Sequence, residues 1–174
     1  MKRTKMYGWL ALRLLLLTAA GLLLLGQVCP GGLVSVSPTS QTVAPGQTSF
    51  YVDVVVDPKG AAIAGAQFDL SFDSKLITVV SVEEGNLFNQ SGFKTFFHRG
   101  ADKVAGTITT ITAVVCVITT PGGTVKSPGT LARIEFSAGT AAGTSALTLS
   151  NVIVGNKAGT KQFVSVSMAN VTIQ

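Results

Sequence analysis

From Leu33 onward, apolar residues recur at every second position or in continuous runs, and the runs end at Gly, Pro, Asn, Asp or Lys. No apolar stripe at helical spacing competes over this stretch, so period two is the governing signal. It predicts nine strands: Leu33–Ser37, Thr48–Val56, Ala64–Phe72, Ile77–Val82, Phe93–Arg99, Lys103–Ile118, Gly129–Ser137, Thr144–Val154 and Gln162–Ile173. In the third, Ala66, Phe68, Leu70 and Phe72 form one row and Gln67, Asp69 and Ser71 the other, so one row packs and the other faces water. In the fifth, Phe93, Thr95 and Phe97 alternate with Lys94, Phe96 and His98. The sixth contains TITTITAVVCVI, apolar in both rows, and a slip of one residue would exchange Thr109 and Ile111 for Ile108 and Thr110 on its outer face. Pro45-Gly46, Asp57-Pro58-Lys59-Gly60 and Pro121-Gly122-Gly123 supply the backbone angles that reversals require. Short strands at this spacing, with no intervening helix, predict an all-β fold: an antiparallel β-sandwich with jelly-roll topology.

Composition agrees. Among 174 residues, 47% are hydrophobic and only 12% charged, which excludes a disordered polyelectrolyte. The length suits one domain. The net charge of +5 suggests nucleic acid until it is divided along the chain. Lys2, Arg3, Lys5 and Arg13 precede any acid, and setting those four aside leaves nine basic against eight acidic residues. So even a balance gives no footprint for phosphates, and nucleic acid is excluded as a partner.

Those four cations precede two LLLL runs, Leu14–Leu17 and Leu22–Leu25, so residues 1–30 read as an N-terminal hydrophobic leader helix that directs export to the cell surface or beyond. Three fates stay open for it. It is cleaved as a signal peptide, or lipidated at Cys29, or kept as a membrane anchor, since Tyr7 to Val28 approaches the ~20 residues that span a bilayer. The only other cysteine is Cys116, so no intrachain disulfide holds a cleaved domain, residues 33–174, and its stability must come from its core. Cys116 reads as a small buried hydrophobe.

Catalytic chemistry finds little material. His98 is the single histidine, and with Cys116 it falls short of a tetrahedral metal site. Asp69 and Asp73 lie four residues apart, ~13 Å along a strand, too far for glycoside hydrolysis, and the adjacent Glu83 and Glu84 point to opposite faces. These carboxylates read as solvated turn residues. Direct sugar recognition needs stacking aromatics, yet beyond the leader no Trp and a single Tyr, Tyr51, remain, and only Phe96 faces outward by phase.

The stretch Ala64–Phe88, AGAQFDLSFDSKLITVVSVEEGNLF, resembles the signature of cohesin domains: an aromatic strand closing on Phe72-Asp73 and continuing into LITVVSVEEGNLF. VSVSPTSQTVAPGQTSFYVDVVV resembles the cohesin opening and GTLARIEFSAGTAAGTSALTL its later strands, so the likeness covers Leu33 to Gln174. The resemblance implies a nine-stranded jelly roll that binds dockerin modules on an exposed sheet holding strands three, five, six and eight. By position it implies a partner-binding face made of Gln67, Asp69, Lys94, Phe96, His98, Thr109, Ile111, Thr148 and Ser150, with Gly65 beside them. The best-known cellulosomal cohesins carry Asn and Asp where Gly65 and Gln67 stand here. Phe96 and Ile111 would form an apolar centre inside a polar rim. Calcium would belong to the dockerin, because this chain lacks an Asp-rich loop. The expectation is therefore a non-catalytic module that docks a dockerin-type protein, in the service of polysaccharide degradation. A carbohydrate-binding module or a structural surface subunit are the alternatives.

Overall fold

The structure, a computed structural model, describes residues 31–174; the leader and its Cys29 lie outside the described residues. These residues form thirteen strands: β1 (Gly32–Ser37), β2 (Ser40–Val43), β3 (Phe50–Asp57), β4 (Gly65–Asp73), β5 (Ile77–Glu84), β6 (Thr95–His98), β7 (Ala101–Ala105), β8 (Ile108–Ile118), β9 (Gly129–Ala138), β10 (Gly143–Gly155), β11 (Lys161–Gln162), β12 (Val164–Ser167) and β13 (Ala169–Ile173). Five of them make one sheet in the order β12-β1-β3-β9-β5. The other sheet follows β2-β13-β10-β4-β8-β6, with β11 beside the end of β10 and β7 beside β8.

The apolar rows of both sheets meet between the layers. Ala66, Phe68, Leu70 and Phe72 of β4 are buried, as period two requires, against Val52, Val54, Ile134 and Phe136 of the facing sheet. Phe136 ties the layers together. Its ring stacks on Phe50 at 5.7 Å and meets Phe72, from the opposite sheet, edge-on at 5.2 Å.

Three departures from the sequence pattern have physical causes. The long sixth run is a hairpin: Ala105 pairs with Ile108 across Gly106-Thr107, and Gly106 adopts φ +65, as a two-residue reversal favours. A Gly-Thr turn inside an apolar run carries no Pro or Asn to announce it. The last run is divided too, and β2 is a strand that the pattern does not predict. The N-terminal run changes sheet between β1 and β2, at Ser37-Pro38, and the C-terminal run changes sheet between β12 and β13, at Met168. Because both cross in the same direction, β1 pairs with β12 and β2 with β13 in parallel, so the sandwich is not wholly antiparallel. The count accordingly departs from nine.

Candidate functional site

One surface of the eight-stranded sheet is open, and β10, β4, β8 and β6 lie side by side across it. These strands are the ones that the family resemblance places on its binding face. Backbone register sets their side chains in rows. Phe96, Val117, Gly65 and Gly155 form one row, and His98, Val115, Gln67 and Ile153 form the next. Alternation puts both rows on the outside, because Phe68, Val114, Cys116 and Val154 point into the core.

The first row contains a trough. Gly65 and Gly155 face each other on neighbouring strands, so no side chain covers the sheet there. Val117 leans over the gap, since a Cβ built on Gly65 would lie 2.9 Å from its Cγ1. Val115, Val117, Ile153 and the turns at 119–123 and 156–159 line a groove of about 470 Å³ over the glycines. Phe96, 56% exposed, stands at one end of the row, and Ile153 adds a second exposed apolar group. Lys94 and His98 are exposed beside Phe96, and Thr148 and Ser150 continue the face along β10.

Asp69 is not a solvated rim carboxylate. It is 8% exposed, and its two oxygens are occupied: Ala113 N–H donates to Oδ1 at 2.7 Å and Asn151 Nδ2 to Oδ2 at 2.6 Å. Each donor sits where register shifts, one on β8 and one on β10, and both have left-handed backbone, with φ of +54 at Ala113 and +49 at Asn151. An unpaired buried carboxylate would be costly, so Asp69 holds the irregularities of two neighbouring strands in place.

The bulge at Ala113 also corrects the facing of β8. Thr109 is 8% exposed and Ile111 wholly buried, so neither belongs to the outer face. Counting back by twos from buried Cys116 puts Thr109 and Ile111 outside, but one extra residue at Ala113 inverts the phase beyond it. Ile108, Thr110 and Thr112 face outward instead, and Ser71 and Thr110 are hydrogen-bonded across the strands at 2.8 Å. The sequence pattern also passed over Val115, Val117, Ile153 and Gly155. Their signal was a run apolar in both rows, which a strand covered on both faces would share.

No group of three or more His, Cys, Asp or Glu among the described residues could hold a metal ion. Cys116 is buried and unpaired, and its thiol donates to Glu84 Oε1 at 3.4 Å. Burial first, and then the charge of Glu84 and this hydrogen bond, push its pKa up to about 12, which suppresses the thiolate a nucleophile needs. On the outer face of the five-stranded sheet, Arg133 makes two hydrogen bonds to Asp53, which raise its pKa, and stacks over Tyr51. Glu135 beside it accepts from Ser49, Tyr51 and Ser81, and these bonds hold its carboxyl below the usual range.

A two-layer β fold with an open, apolar-centred sheet face defines a binding module of the sandwich type. The cohesin domain family matches residues 34–174, and the chain belongs to that family, whose members are non-catalytic protein-binding modules. Among solved structures, a non-cellulosomal cohesin from the archaeon Archaeoglobus fulgidus is 18% identical, with a TM-score of 0.60 over 83% of this chain and 91% of its own. The sixth cohesin of scaffoldin B from Acetivibrio cellulolyticus, solved with a dockerin, is 17% identical, with a TM-score of 0.63 over 83% and 99%. A type I cohesin–dockerin complex from Clostridium thermocellum gives 15%, 0.60, 83% and 99%. No curated protein matches the chain in sequence.

Proposed function

We propose that this chain is an exported docking module that binds a dockerin-type protein through the open face of the eight-stranded sheet. Family membership supports the partner class, and related cohesins have been solved in complex with dockerins. The observation that carries the reading is the glycine trough beside Phe96 and Ile153. A smooth depression with exposed apolar groups at its margins and Lys94, His98, Gln67 and Ser150 around it has the apolar centre and polar rim of a protein interface. Calcium enters through the partner, and the module supplies a docking point for an enzyme of polysaccharide degradation at the cell surface.

The test is calorimetric titration of the chain with a panel of calcium-loaded dockerin modules. At least one is expected to bind, to lose affinity when calcium is chelated, and to bind Phe96→Ala at least ~10-fold more weakly. Binding that survives chelation, or that Phe96→Ala leaves intact, overturns the reading. So does retention of the chain on insoluble cellulose with no dockerin in the panel bound.

A further inference from the structure

The end of the sandwich at which the described chain begins carries a distinctive chemistry. Gly32 N–H donates to Phe163 O at 3.1 Å, so the described chain begins beside Phe163. The segments gathered at this end are 58–64, 85–94, 119–128 and 156–163. Ile63 bridges Val125, Ala64 N–H donates to Gly155 O, and Thr119 N–H donates to Lys94 O. Together these segments hold Lys59, Lys94, Lys126, Lys157 and Lys161, all exposed, and the acids at this end are Asp57, Glu83 and Glu84 on the strand ends that border them. Among the described residues only Lys59 of the five has a carboxylate partner, Asp57. Phe163 itself is 93% exposed, the most exposed of the large hydrophobic residues in the described chain. Val166 and Met168, further along the same edge, are also exposed.

An aromatic ring set among unpaired lysines is a poor surface for water and a good one for the boundary of a bilayer. There the ring enters the headgroup layer and the ammonium groups meet lipid phosphates. Chain continuity points the same way. The residues before Gly31 are the apolar leader, and whether a retained anchor or a lipid on Cys29 holds the protein, the tether emerges within a few residues of Phe163. We infer that this pole is a membrane-contact surface: Phe163 inserts at the bilayer interface, and Lys126, Lys157 and Lys161 engage anionic headgroups. A domain seated this way stands on the membrane with its strands along the normal. The groove end lined by Lys157 and the turn at 119–123 then lies next to the bilayer, and the rest of the partner-binding sheet face is exposed to the side.

The test uses the full chain reconstituted in vesicles of phosphatidylcholine with 30% phosphatidylglycerol. Phe163→Trp, with Trp9→Phe to remove the leader's own indole, reports on the pole, and Val80→Trp in the same background reports on an exposed site of the five-stranded sheet. Brominated lipids are expected to quench Trp emission at 163 several-fold more than at 80, and aqueous iodide to do the reverse. Omitting phosphatidylglycerol, or combining Lys126→Gln, Lys157→Gln and Lys161→Gln, is expected to reduce the lipid quenching at 163. Equal quenching at the two positions overturns the proposal. Quenching at 163 that neither phosphatidylglycerol nor the lysines affect overturns the role given to the lysines. Far-UV circular dichroism of each variant confirms that the sandwich has formed.

Discussion

Asn151 reaches from the left-handed bulge of β10 to the carboxylate of Asp69 on β4, with 2.6 Å between Nδ2 and Oδ2. The other oxygen of the same carboxylate accepts from Ala113 N–H, at the bulge of β8. One side chain on a central strand thus fixes the course of both neighbours. Asp69→Ala leaves the Ala113 N–H and the Asn151 amide without their shared partner and releases two strained backbone positions. It is expected to lower stability by about 2 to 3 kcal/mol in chemical denaturation. A loss below ~0.5 kcal/mol would show that the bulges do not need the carboxylate.

Gly155 offers a cleaner probe of the groove than Gly65. A Cβ on Gly155 meets only Thr160 O, at 3.9 Å, whereas one on Gly65 presses on Val117. Gly155→Leu therefore fills the trough with little strain. Partner affinity is expected to fall ~10-fold or more while stability changes by about 1 kcal/mol or less. Calorimetry with a bound dockerin and a denaturant midpoint separate the two effects.

Cys116 sets an alkaline limit. Its folded pKa, about 12, stands above the ordinary thiol value of 9.0, so between these values the native state holds a proton that the unfolded chain has lost. Stability is then complete below about pH 9 and declines as pH rises toward the folded value. Cys116→Val is expected to flatten that decline in denaturation curves taken from pH 8 to 11. In the wild-type protein at pH 8 the thiol is expected to resist a disulfide reagent until denaturant is added.

Glu135 acts at the other extreme. Hydrogen bonds from Ser49, Tyr51 and Ser81 lower its pKa below 4.5, so the stability they confer is present above that value and is lost as pH falls through the folded pKa. Glu135→Gln is expected to shrink the acid-induced loss of stability between pH 5 and 3. An unchanged acid limb would show that these bonds form equally to the protonated group.

Much of this was legible in the residues. β3 and β4 keep their buried rows at period two without interruption, and the exposure of Phe96, Lys94 and His98 follows from the same count. The pattern failed where the backbone stops alternating. Ala113 is an ordinary residue in a bulge, and nothing in AVVC marks it, so Thr109 and Ile111 were placed on the wrong side. Asp69 looked solvated because its alternation was right, while its two donors come from residues 44 and 82 positions away. The trough is legible only once register is known, since Gly65 and Gly155 are paired by the sheet and by nothing in the order of the chain.

The two crossing segments have a mechanical consequence. β1 and β2 run beside β12 and β13 in the same direction, with Gly31 at one pole of the sandwich and Ile173 near the other. Tension applied between those residues drags the N-terminal strands one way and the C-terminal strands the opposite way. Every rung of both parallel pairings is then loaded at once, not peeled singly. Rupture must slide a seam in each sheet together, which makes this route the stiff axis of the molecule.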